Sequence, residues 1–334
     1  MLRLPPVELA TPRDLTEALD LLASRPGRYR VLAGGTDLLV ALKHGHHTGT
    51  ALLSLRELGL GGIRRENGTW VLGASVTLWE LARWQAPSGP LSAVARAARL
   101  VAAPPIQGRA TLGGNVCLDT RCWFYNQSAF WRSGRPPCRK AGGEVCHVVP
   151  KGQGCHAVHQ ADLPPLLVAL GARADIRSAG GERRVDLEDL YRADGLSPLA
   201  LEPGELLTAL RVPTPPRGSG ASYHKLRMRR SLDFAAAAAA VYLERDRDTC
   251  TRARVVLGAL GSAPIRVGEA ERALEGSRLD DDALESAADA ARRAARPVKN
   301  TDLTPAYRRH VAGVLVKRAA REAWEQAGSN GRRP

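Results

Sequence analysis

The chain has no apolar run approaching the roughly 18 residues that a membrane span requires, so no bilayer is expected. Its opening, Met1-Leu-Arg-Leu-Pro-Pro6, carries one positive charge but no apolar core of leader length before the polar Thr11-Pro-Arg-Asp14, so export by a leader of its own is not expected and a cytoplasmic setting is. Thiols stay reduced there. Lysine is scarce: the formal charge of +14 comes almost entirely from scattered arginines. The densest basic run, Arg227-Met-Arg-Arg230, has one aromatic neighbour, Tyr223, and no nucleic-acid motif around it, so the charge points to an acidic partner or an anionic ligand rather than to nucleic acid. Internal repeats are absent, and so are the paired C-x2-C knuckles of structural zinc and the G-x-G-x-x-G turn of an ordinary Rossmann site.

What is present is an ordinary soluble composition, 44% hydrophobic and 25% charged, in 334 residues, enough for two or three cores. Pro12 to Ala23 places Leu15, Ala18, Leu19 and Leu22 at helical spacing with Thr11 available as cap. A short strand, Tyr29 to Ala33, then meets Gly34-Gly35-Thr36-Asp37, and the chain turns into a helix over Leu38 to Lys43 that Gly45 can end. Thr69 to Gly73 alternates as a strand, Leu78 to Trp84 and Leu91 to Val101 read as helices, and Pro104-Pro105 closes this part. Asp162 to Gly171 reads as a helix and Ala174 to Arg177 as a strand.

Between Cys117 and His159 the periodicity stops, and glycine, proline, cysteine and aromatic residues crowd together, so this stretch is expected to be an insert in an α+β domain. After a linker at Pro213 to Gly220 a second domain is expected. Its run Asp233 to Leu243 favours helix on propensity. A strand is nevertheless expected, because Arg252 to Leu260 supplies a partner and Glu244 to Thr249 a polar hairpin loop. Residues 269–328 read as helical, with amphipathic stretches at Asp280 to Ala295 and Pro305 to Gln326, and only the tail after Gly328 reads as disordered.

Five of the six cysteines lie between Cys117 and Cys155, and four of them follow the spacing Cys122-x15-Cys138-x7-Cys146-x8-Cys155. In a reducing compartment such density points to a metal site rather than to disulfides. Thiolates are soft donors, which leaves zinc and an iron-sulfur cluster; wide spacing without short knuckles favours the cluster, and buried free thiols are the third alternative. Five of the fifteen aromatic residues fall between Trp123 and Trp131, enough to cover such a centre with apolar surface. His147 and His156, each beside a cysteine, are weaker ligand candidates.

Two glycine turns carry the other candidate chemistry. In Ala33-Gly-Gly-Thr-Asp-Leu38 the glycines let the backbone approach an anion and Thr36 offers a hydroxyl; Thr111-Leu-Gly-Gly-Asn115 repeats that chemistry. Either alone is more ordinary as a strand-to-helix turn, with Thr36 as cap. Two together can clamp a pyrophosphate from both sides.

In this order, Ala33-Gly-Gly-Thr-Asp-Leu38, Ala110-Thr-Leu-Gly-Gly-Asn115, Ala161-Asp162 with its helix, Tyr223 to Asp233 and Tyr307-Arg-Arg-His310 resemble the FAD-binding medium subunits of molybdenum hydroxylases, the family that includes xanthine and carbon monoxide dehydrogenase flavoproteins. The resemblance spans nearly the whole chain. It implies an FAD-binding domain at 1–215 and a C-terminal flavoprotein domain at 216–330. Ala33, Gly34, Gly35, Thr36, Asp37, Thr111, Gly113, Gly114 and Asn115 would hold the pyrophosphate, Asp162 the ribose or adenine side, and Lys225 would lie near the flavin ring. About 40 residues separate Asn115 from Asp162, where most members pass directly from one to the other. An insert of this cysteine content at this place resembles the β subunits of 4-hydroxybenzoyl-CoA reductases, which implies a 4Fe-4S cluster on Cys122, Cys138, Cys146 and Cys155 and leaves Cys117 over. It also implies an electron-transfer oxidoreductase subunit with no catalytic residue of its own, serving reductive dehydroxylation in such a reductase; the alternatives are the flavin subunit of another molybdenum hydroxylase, xanthine or carbon monoxide dehydrogenase-like, and a zinc-stabilised scaffold without flavin. The expected partners are a molybdopterin-binding large subunit, a 2Fe-2S small subunit and a ferredoxin-like donor. No molybdopterin site or plant-type ferredoxin spacing is visible in this chain.

Overall fold

The computed structural model describes residues 2–229, 232–301 and 303–331. The fold is mixed α and β, with three sheets among the described residues. The first is parallel: Leu9–Ala10 and Tyr29–Leu32 flank Ala51–Ser54. The second is antiparallel, with Ile63–Glu66, Thr69–Gly73, Leu206–Pro213, Arg173–Ser178 and Gly181–Asp186 in that spatial order. The third, also antiparallel, runs Ile265–Arg266, Thr249–Gly258, Ala237–Asp246, Ser219–Leu226.

The alanine-rich segment is a strand, as its partner pattern predicted, and its side chains explain why propensity loses. Successive residues point to opposite faces. Ala238, Ala240 and Tyr242 enter a core shared with Leu163, Leu166 and Leu167, while Ala237, Ala239, Val241 and Leu243 enter a second core under Leu315, Val316 and Ala319. The strand is thus a wall between two apolar layers, and small side chains let both close tightly. A Cβ on Gly258 would stand 2.7 Å from Pro165, and one on Gly220 only 1.9 Å from the Ala323 carbonyl oxygen. Because the first core joins residues on both sides of position 215, the segments before and after it pack as one body.

The helix Pro305–Gly331 is tied to this sheet at its start by Arg308. That fully buried guanidinium donates to the carbonyls of Ala236 (2.7 Å), Ala259 (2.7 Å) and Val298 (2.9 Å) and to Asn300 Oδ1 (2.8 Å). Four acceptors satisfy a group that would otherwise be costly in the interior.

Several local expectations are corrected. The first helix is Leu15–Ser24 and its cap is Asp14, which accepts from the Glu17 amide at 2.9 Å, not Thr11. Pro104-Pro105 opens a short helix, Pro104–Gln107, since proline fits a first turn whose N–H groups have no partner. The linker narrows to residues 214–218, because Pro213 ends one strand and Ser219 begins the next. The hairpin expected to loop from Glu244 to Thr249 instead pairs through Asp246 and Thr249 across a bulge at Glu244/Arg245. Residues after Gly328 continue the last helix to Gly331; the rest of that tail lies outside the described residues. Among the described residues no helix is long and apolar enough to cross a membrane.

The insert has little regular structure, a short helix Ala129–Ser133 and a single turn at Arg139–Ala141. It is closed at its base by a two-residue bridge: Arg121 and Val158 exchange both backbone hydrogen bonds at 2.8 Å.

Candidate functional site

The two glycine turns meet. Each leads into a short helix behind a strand or extended segment, and the chain brings them together because Gly34 has no side chain: a Cβ there would stand 1.8 Å from the Arg109 carbonyl oxygen, just before the second turn. Gly113 has the same relation to Ala74, where a Cβ would stand 2.9 Å from the carbonyl oxygen. Gly35 adopts φ +72°, a conformation open to glycine at little cost. In the second turn Thr111 Oγ1 accepts from the Gly114 amide at 3.0 Å, holding the turn in shape.

Between the turns lies a cavity of about 380 Å³, lined among others by Ala33, Gly34, Gly35, Asp37, Thr111, Gly113 and Gly114. Seven of the eleven expected flavin-site residues therefore share one wall system. Thr36, Asn115, Asp162 and Lys225 do not line it. Asn115 Oδ1 instead accepts from the Leu163 amide (3.2 Å), holding the start of the helix Leu163–Ala169. Asp162 makes no cap; its carboxylate accepts from Tyr223 Oη at 2.7 Å and from Lys225 Nζ at 2.9 Å, with both charged side chains almost wholly buried. Neither local alternative for these two residues, a helix cap or a solvated lysine, describes them. Burial pushes the Asp162 carboxyl above the usual carboxylate range, with Lys225 and Tyr223 opposing the rise.

Several lining residues carried no motif. Asp119, Arg121, Tyr125 and Asn126 come from the neck and first turn of the insert, and Leu206 and Leu207 from the central strand of the five-stranded sheet. Arg121 Nη1 donates to Asp37 Oδ1 at 2.7 Å, and its guanidinium stacks 4.2 Å from the Phe234 ring, so it joins the first glycine turn to the neighbour of Cys122 and to the C-terminal region. Burial raises the Asp37 carboxyl and Arg121 opposes that rise. The proximity of Asp119 and Arg121 to the second glycine turn was the available signal for them.

A second, smaller cavity lies inside the insert. Cys122, Cys138, Cys146 and Cys155 all line it, with Phe124, Tyr125, Val148 and Ala157 supplying apolar surface. Cys117 lines the first cavity instead. His147 and His156 also border the second, but His147 Nε2 lies 2.8 Å from the Pro136 carbonyl oxygen, a partner that commits it as a donor. Burial pushes the Cys122 thiol up to about 11 and raises Cys155. All six cysteines are free of disulfides. Among the described residues no three His, Cys, Asp or Glu side chains form a group able to hold a single metal ion. Tyr125 belongs to both cavities and is their common wall.

Residues 5–215 match the family described as the FAD binding domain in molybdopterin dehydrogenase. The chain belongs to the FAD-binding subunits of the molybdenum hydroxylase family. Residues 221–323 match the CO dehydrogenase flavoprotein C-terminal domain. Among its relatives is the carbon monoxide dehydrogenase medium chain of Afipia carboxidovorans, 32% identical over 95% of this chain and 96% of that one. A putative xanthine dehydrogenase FAD-binding subunit of Escherichia coli is 25% identical over 94% of each chain. The solved structure of reconstituted CO dehydrogenase from Oligotropha carboxidovorans superposes with a TM-score of 0.80 at 30% identity, covering 96% of this chain and 99% of that one. The flavoprotein expectation thus stands, with FAD as the cofactor.

Proposed function

We propose that this chain is the flavin subunit of a carbon monoxide or xanthine dehydrogenase-like molybdenum hydroxylase complex and that its insert adds a 4Fe-4S cluster held by Cys122, Cys138, Cys146 and Cys155. In the complex it would relay electrons between an external donor or acceptor and partners carrying molybdopterin and 2Fe-2S clusters. The observation that carries the cluster reading is the meeting of four widely spaced cysteines at one cavity that Cys117 does not border. A single zinc ion needs its thiolates about 2.3 Å away, so they must crowd together, whereas a cubane offers a separate iron to each.

FAD exchanges electrons one or two at a time, and a cubane cluster exchanges them singly. The protein's part is position and dryness. Residues 1–215 would grip the dinucleotide between Gly34-Gly35 and Gly113-Gly114, and residues 216–330 would cover the ring side. Phe124, Tyr125, Val148 and Ala157 would keep water from the thiolates. Asp162 and Lys225, which the family likeness would put at the ribose and the flavin ring, are paired out of solvent and do not line the cavity, so they would tie the helix Leu163–Ala169 to the strand Ser219–Leu226.

A second reading, a subunit of a 4-hydroxybenzoyl-CoA reductase-type enzyme fed by a ferredoxin-like donor, rests on the insert alone; the relatives named above favour the first. Assaying the assembled complex with carbon monoxide, purines and 4-hydroxybenzoyl-CoA separates them. For the cofactors, the purified chain reconstituted anaerobically with iron and sulfide should hold about four irons beside one FAD. Cys138→Ser should abolish the cluster's EPR signal and leave flavin bound, while Cys117→Ser should leave the signal. A colourless preparation with tightly held zinc and no FAD would refute the proposal.

A further inference from the structure

Lys140 lies two residues after Cys138 and lines the cysteine cavity, yet its ammonium points away from the insert's surface, and the side chain is only 5% exposed. Nζ donates to Asp119 Oδ1 (2.7 Å), Thr120 Oγ1 (2.5 Å) and the Gly195 carbonyl (2.8 Å). Asp119 and Thr120 line the flavin cavity, so this one side chain spans the partition between the two cavities. Its Nζ also stands 5.4 Å from the ring of Tyr125, the shared wall.

Gly195 connects the same ammonium to a second cysteine. Its amide donates to the Cys155 carbonyl at 3.0 Å, and a Cβ on it would stand 2.7 Å from that oxygen, so the Gly195 backbone presses directly on the Cys155 peptide. On the other side, the Cys138 carbonyl accepts from the amides of Ala141 (2.8 Å) and Gly143 (2.9 Å), which makes Lys140 part of the turn that presents Cys138. One cation therefore fixes two of the four thiols against the body of the protein.

We infer that Lys140 is a positioning residue for the four-thiolate site and that its charge, balanced against Asp119, sets the reduction potential of the centre held there. The inference rests on the cluster reading above. A buried positive charge is little screened by salt and stabilises the more negative, reduced state of a neighbouring centre, and the Asp119 carboxylate works against it. The two residues should thus act with opposite sign. A role in packing alone would give no such opposition.

The test is an anaerobic redox titration, monitored by EPR, of the full chain reconstituted with iron and sulfide. Lys140→Met should lower the cluster potential, Asp119→Asn should raise it, and Lys140→Arg, which keeps the charge, should restore a value near that of the wild type. If Lys140→Met holds no iron, the other two variants decide: a raised potential in Asp119→Asn with a near-normal one in Lys140→Arg supports the inference. Unshifted potentials, or shifts of the same sign in Lys140→Met and Asp119→Asn, overturn it while leaving the cluster reading intact. A wild-type chain that takes up no cluster overturns both.

Discussion

Replacing Gly34 with alanine isolates the contact on which the proposed dinucleotide grip depends. The added methyl would stand 1.8 Å from the Arg109 carbonyl oxygen and 2.6 Å from its carbon, closer than real Cβ contacts occur. Because the obstacle is backbone, no rotamer change relieves it; one turn must retreat from the other by about 1 Å or more, which is overpacking worth about 1 to 3 kcal/mol. Gly34 is not among the glycines with positive φ, so conformational strain does not confuse the result. For a single body of 334 residues that energy corresponds to a fall in Tm of roughly 1 to 4 °C. If the retreat is taken up by the cavity wall, a cost near 2 kcal/mol translates into about 30-fold weaker FAD binding. Gly61→Ala is the control, since nothing lies within 4 Å of its added Cβ and its φ is not positive. Flavin fluorescence titration and thermal unfolding measure both effects. A Gly34→Ala protein with wild-type Tm and FAD affinity would refute the claim that the two turns must touch.

Lys225→Met should cost about 3 to 5 kcal/mol in denaturant unfolding, because it leaves the Asp162 carboxylate buried without its cation; adding Asp162→Asn should recover part of that loss, and a single variant as stable as the wild type would count against a dry ion pair. Stability should also fall on acidification. His46 is held at about 4 by burial and then by Arg132, and His159 at about 4 by burial, so both are neutral in the fold but take up protons near pH 6.5 when unfolded. The fold then binds fewer protons than the unfolded chain between these values. Stability contributed by the neutral rings is complete above pH 6.5 and is lost towards pH 4, at up to about 1.4 kcal/mol per pH unit for each ring. Asp37 and Asp162, raised by burial, act in the opposite sense and soften the acid end. Tm measured from pH 7.5 down to 4.5 checks this, and a flat profile would contradict it.

Much of this architecture can be read from residue order, and the exceptions have a common cause. The first glycine turn and the helix behind it, which stops before Gly45, follow from short-range chemistry, and they appear where the pattern places them. The alanine strand was legible because a partner segment lay close by in sequence. The base of the insert, Arg121 to Val158, lies within a few residues of where periodicity breaks. What stayed hidden depends on distant pairing. Nothing in the order of Tyr223, Lys225 and Asp162 says that the lysine and the tyrosine share one carboxylate, since each alone fits a surface or a cap. The five-stranded sheet was only partly visible, because Gly181–Asp186 is mostly polar at an exposed edge and Leu206–Pro213 is apolar on both faces. Cap choice at Asp14 over Thr11 depended on where the first turn starts, which spacing leaves uncertain by a few residues.

The base of the insert has a consequence for how such a segment can be gained. Because the Arg121 and Val158 backbones already face each other as strand neighbours, the surrounding fold sees nearly the same two ends whether a tight turn or a long excursion joins them. Lengthening a surface loop is cheap, about 0.6 kcal/mol for each doubling. A thiol-rich cassette can therefore be joined at this hinge at small cost in chain entropy, while its neck residues Asp119, Arg121, Tyr125 and Asn126 also shape the flavin chamber beneath it.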